Sequence, residues 1–106
     1  MSTLTEREEA FEKRFALDED RRFHARVLRD RRLGEWAAER IGVAAESRES
    51  FARRFADDLV GKDDETVVAA AIKLFADAGI EMSAVRIRRK AEAELAEALR
   101  FLTAAR

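Results

Sequence analysis

Two phenylalanines set four residues apart, Phe11 and Phe15, are the side chains near the start of this chain best suited to specific recognition. At i and i+4 two rings fall on one face of a helix and make a narrow apolar spot. Glu6, Arg7, Glu8, Glu9, Glu12, Lys13 and Arg14 surround them. A spot this small offers a helix bundle little to hold, and helices of this kind bury it in a groove on another protein. The candidate contact residues of such an arm are Leu4, Arg7, Glu8, Phe11, Glu12, Arg14 and Phe15. The rings would anchor, because buried aromatics dominate such grooves, and the charges would set register and exclude wrong partners.

A second cluster, Arg86, Arg88, Arg89 and Lys90, falls in the first two turns of the last expected helix. The macrodipole there is already positive, so each cation destabilises the helix by a few tenths of a kcal/mol, roughly, unless something offsets it. Two explanations stay open. Acids of neighbouring helices, such as Asp57, Asp58 or Asp77, would pair with the cluster, or an anion such as the phosphate of ATP or ADP would be held weakly by these side chains and free helix N–H groups.

Catalytic chemistry finds little material. His24 is the one histidine and stands among arginines; there is no cysteine and no tyrosine. The carboxylates sit beside Arg or Lys at helical spacing, as ordinary surface pairs do. No metal-ligand spacing and no glycine-rich phosphate loop occurs. The expectation is a protein that is not an enzyme, with no catalytic residues, no metal and no tightly held cofactor.

The elements that must carry these residues are helices. With 106 residues the chain fits one domain, and 41% charged residues, 47% apolar residues and no proline point to an all-α protein. No apolar run approaches the length of a membrane span, and the acidic N-terminus argues against a transit peptide. The absence of cysteine suits a reducing cytoplasm. Net charge is near zero, but residues 1–20 hold seven acids against three bases, whereas Arg21, Arg22, Arg26, Arg29, Arg31 and Arg32 follow with Asp30 as the lone acid. An acidic head on a basic neck suits steering onto a protein surface of mixed sign, with Arg21, Arg22 and Arg26 guiding the approach. It suits nucleic acid less well.

Gly42, Gly61 and Gly79 each follow a periodic stretch, as helix-terminating glycines do, while Gly34 lies inside one and is expected to permit close helix approach. The first helix would run from about Thr5 to Ile41 with Phe23, Val27, Leu33, Ala37 and Ile41 on one side. A rod of that length, about 55 Å, exceeds so small a domain. Only the part after about Glu19 is therefore expected to pack, with Asp18-Glu19-Asp20 starting a new helix there. Three more helices follow, at about Ala45 to Val60, Asp64 to Ala78 with Asp63 as N-cap, and from a Ser83 cap to the end. Short connections place neighbours antiparallel, which gives a small antiparallel four-helix bundle, residues 18–106, with a projecting or flexible arm, residues 1–17.

The run Arg7-Glu8-Glu9-Ala10-Phe11-Glu12-Lys13-Arg14-Phe15-Ala16, then Asp18-Glu19-Asp20-Arg21-Arg22-Phe23 and Arg31-Arg32-Leu33-Gly34-Glu35-Trp36-Ala37-Ala38-Glu39, resembles the zeta subunit family, the small inhibitor of alphaproteobacterial-type F-type ATP synthases. Ala78-Gly79-Ile80 and Ile87-Arg88-Arg89-Lys90 are similar to its later signature, so the resemblance covers essentially the whole chain. It implies a four-helix bundle whose N-terminal arm enters a catalytic interface between an alpha and a beta subunit and blocks rotation in the hydrolytic direction. The implied partners are the alpha, beta and gamma subunits of the ATPase head. The implied location is the cytoplasmic face of the inner membrane, reached through the synthase without insertion into lipid, and the free protein is expected to be a monomer. Leu4 stands where the family has Phe, and Leu17 where a polar residue is usual; both leave the arm apolar. The rival reading is a small helical nucleotide- or nucleic-acid-binding module that uses the arginine clusters.

Overall fold

The computed structural model describes residues 3–104, apart from the side chains of Thr3 and Phe15. It contains four helices, α1 (Thr3–Ile41), α2 (Ala45–Leu59), α3 (Asp64–Asp77) and α4 (Ala84–Ala104), and no strand among the described residues. The expected ends of the second and third helices lie one residue further on. Asp63 accepts a hydrogen bond from the Thr66 N–H at 2.8 Å, and Ser83 Oγ accepts one from the Arg86 N–H at 3.1 Å, so both expected caps are in place. Gly79, at φ +70°, closes α3 as expected of a left-handed C′ residue: its N–H donates to Ala76 O, and the Ile80 N–H to Phe75 O.

Helix α1 is the spine. It packs against the other three helices, and α3 also packs against α4. Leu33 and Ala37 of α1 meet Phe55 and Leu59 of α2, Val67, Val68, Ala71 and Phe75 of α3, and Ile87 and Ala91 of α4 in one core. Trp36 stands edge-on to Phe75 with ring centres 5.3 Å apart. Gly34 sits where α1 meets α2: a Cβ there would lie 3.1 Å from the Ala52 Cα and 3.1 Å from a ring carbon of Phe55. That contact is the close helix approach its position implied.

The start of the chain departs from one expectation. Helix α1 is continuous over 39 residues, and no new helix begins at Asp18-Glu19-Asp20. Two of those acids face forward to arginines on the next turn, Asp18 to Arg21 at 3.5 Å and Glu19 to Arg22 at 3.4 Å, and His24 Nδ1 lies 2.9 Å from the Asp20 carbonyl oxygen. Acid before base at i, i+3 or i+4 is the favourable order on a helix, so the triplet carries the helix through instead of restarting it. The length that seemed too great for the domain is accommodated because α1 overhangs it. The molecule measures 66 × 26 × 20 Å.

Candidate functional site

Every described side chain from Leu4 to Asp20 is exposed, and Ala25 is the first residue of α1 to be buried. The overhang is about 27 Å of helix at 1.5 Å per residue. A free peptide of this length would be a marginal helix, because the first turn is costly to nucleate. Here the packed half of α1 supplies the nucleus, and the overhang only has to propagate it.

Leu4 is 66% exposed and Phe11 70% exposed, so neither contributes to the core. Position 15 is helical, but the Phe15 side chain lies outside the described residues. At about 100° per residue, positions 4, 11 and 15 fall within an arc of about 40°. Arg7 and Arg14 run along one edge of that arc, and Glu8 and Glu12 along the other. Glu6, Glu9 and Lys13 occupy the opposite side of the helix. The seven candidate contact residues therefore form one continuous face of α1, with an apolar centre and flanks of opposite charge. None of Arg7, Glu8, Glu12 and Arg14 makes an ion pair among the described residues, whereas Asp18, Glu19, Arg21 and Arg22 all do.

Just inside the root of the overhang lie the two buried charged residues of the described chain, Arg29 and Asp30, 2% and 3% exposed. Arg29 Nε donates to Asp30 Oδ1 at 2.8 Å and Nη1 to Asp64 Oδ1 at 2.9 Å, which ties α1 to the first turn of α3. Burial pushes the Asp30 carboxyl above its ordinary value, and the Arg29 hydrogen bond and charge pull against that. This cluster was not foreseen from the sequence, where Arg29 and Asp30 read as part of a solvated basic neck. Their positions four and three residues before Leu33, on its face of the helix, are a signal, but one that a run of six arginines obscures. Phe23, expected on the packed side, is 44% exposed beside a groove lined by Arg26, Val27, Leu59 and Val60.

The basic cluster of α4 is divided. Arg88 pairs with Glu65 at 2.8 Å and Lys90 with Glu94 at 3.1 Å. Arg86 and Arg89 make no ion pair among the described residues. Neighbouring acids do neutralise part of the cluster, but they are not the ones expected: Asp77 binds Lys73 at 2.7 Å on its own helix. Glu65 and Arg88 both border the small cavity that Val68 of α3 and Ala91 and Leu95 of α4 also line. Of the charges on the Trp36 side of the bundle, Arg40 and Lys90 lie 6.0 Å from the indole ring.

No group of three or more metal-ligating side chains occurs among the described residues, and no described helix is long and apolar enough to cross a membrane. Comparison with known proteins finds that a family model described as ATPase inhibitor subunit zeta matches residues 1–100. No curated protein and no solved structure matches the chain.

Proposed function

This chain belongs to the family of ATPase inhibitor subunit zeta, and from that membership we propose that it inhibits ATP hydrolysis through its N-terminal arm, residues 1–17. The family makes it a regulatory protein of the F-type ATPase and not an enzyme. The arm enters a catalytic interface between an alpha and a beta subunit and reaches toward gamma, where a helix wedged against the rotor stops hydrolytic rotation. The bundle, residues 18–106, stays outside as the handle. The free protein is a monomer in the cytoplasm and reaches the inner membrane only through the synthase.

One observation carries this reading: a phenylalanine 70% exposed on a helix that leaves its own core behind for its first turns. A large ring kept in water has no stabilising role in the free protein and gains from any apolar groove that takes it. The test is ATP hydrolysis by the purified ATPase with the intact protein and with a variant lacking residues 1–17. The intact protein inhibits and the truncated one does not; equal inhibition by both refutes the assignment.

A second reading concerns α4. Arg86 and Arg89, without ion pairs among the described residues, leave two cations for an anion such as a nucleotide phosphate. Saturable shifts of their resonances on titration with ATP or ADP support it, and flat shifts at millimolar nucleotide remove it.

A further inference from the structure

We infer that the groove receiving the arm has walls of opposite charge, an acidic wall against Arg7 and Arg14 and a basic wall against Glu8 and Glu12, and that this polarity fixes the direction in which the helix enters. The inference rests on the arm being the inhibitory element and names the chemistry of its partner.

The charges of α1 divide into two groups by what they do for the helix itself. Between residues 18 and 22 acids precede arginines at i, i+3, and Asp18 and Glu19 are each paired. Along the aromatic face the order is different. Glu8 and Glu12 stand at i, i+4, a like-charge spacing that weakens an isolated helix, and Arg7 and Arg14 line the far edge seven residues apart. All four side chains are exposed. None has an ion-pair partner among the described residues. An arrangement that helps its own helix so little, yet sorts its signs to either side of the apolar stripe, is complementary to something outside the chain.

A helix laid in a groove meets one wall on each side of its buried stripe. With cations along one edge and anions along the other, a groove of matching polarity gains on both walls. A helix entering the same groove in the reverse direction exchanges its edges and sets like charge against like on both. Such juxtaposition is what suppresses wrong docking modes. An arm with the same net charge but mixed edges lacks that discrimination.

The experiment measures the concentration for half-inhibition of ATP hydrolysis by the purified ATPase at fixed ionic strength, using the full chain. Glu8→Lys with Glu12→Lys reverses one edge; Glu6→Lys with Glu9→Lys makes the same change of net charge on the opposite side of the helix. Arg7→Glu with Arg14→Glu reverses the other edge. Each edge reversal raises the half-inhibitory concentration by about tenfold or more, and the opposite-side pair by about twofold or less. Circular dichroism of the free variants reports the arm's helicity, so that a loss through unfolding is separated from a loss through mismatched walls. Equal effects of edge and opposite-side pairs, at equal helicity, overturn the inference, because steering by net charge would then account for everything. Phe11→Ala is the control for the premise: if it leaves inhibition unchanged, the arm reading itself fails, whereas a strong Phe11 effect with inert edges removes only the polarity of the groove.

Discussion

Replacing Phe11 with alanine should separate what the arm does for its host from what it does for its partner. A phenylalanine side chain has about 150–250 Å² to bury, and Phe11 keeps 70% of its surface in water. About 140 Å² is therefore left for a partner to cover, worth about 3.5 kcal/mol at 25 cal/mol per Å². The alanine methyl retains roughly 0.8 kcal/mol of that, and its better helix propensity returns roughly half a kcal/mol by holding the arm in its helical form. The net loss is about 2–2.5 kcal/mol, or roughly 30- to 60-fold in affinity. The free protein should not notice: with no core contact removed, its unfolding free energy stays within about 0.5 kcal/mol of the parent. The assay pairs denaturant unfolding of the free protein with half-inhibition of ATP hydrolysis. Two results refute the reasoning. Inhibition within twofold of the parent means the ring is not an anchor. A loss of more than about 1 kcal/mol in the free protein means Phe11 is held by its own bundle.

Other perturbations address the packed half. Gly34→Ala gains about 1 kcal/mol of helix propensity but drives a Cβ to 3.1 Å from the Ala52 Cα, and overpacking of this kind costs about 1–3 kcal/mol; a net destabilisation of about 1 kcal/mol in urea unfolding is expected. Arg29→Met leaves Asp30 and its buried carboxylate unpaired and should cost about 3 kcal/mol, most of which returns when Asp30→Leu is added. The pH dependence follows from burial raising the Asp30 carboxyl above 3.8: the folded state holds this proton more tightly than the unfolded chain, so Asp30 contributes most below 3.8 and loses that contribution as pH rises through its folded value. Parent stability measured against Asp30→Asn should accordingly improve as pH falls through the folded value and level off below 3.8, and a parallel pair of curves contradicts the burial argument.

Much of the fold was legible because its determinants are local. Asp63 and Ser83 cap the helices they precede, and Gly79 ends α3, since each effect needs only the few residues on either side. Phe11 stood out on the same ground, as one of two rings in a stretch otherwise too polar to join a core. The triplet Asp18-Glu19-Asp20 is ambiguous for a related reason: acids favour a helix start by interacting with its dipole, and they equally favour continuation when bases follow at the right spacing. Arg21 and Arg22 supply those bases, and the pairs they make prevail.

By itself the sequence determined the helical class, the ends of the helices and an amphipathic segment too poor in apolar surface to pack, because backbone hydrogen bonding, capping and periodicity act over one or two turns. The tertiary structure alone decided that Arg29 and Asp30 are enclosed while Phe23 is not, and that Glu65 neutralises Arg88. Burial and ion pairing between helices depend on which faces meet across the core, and residues 35 or 23 positions apart meet only once the chain has folded.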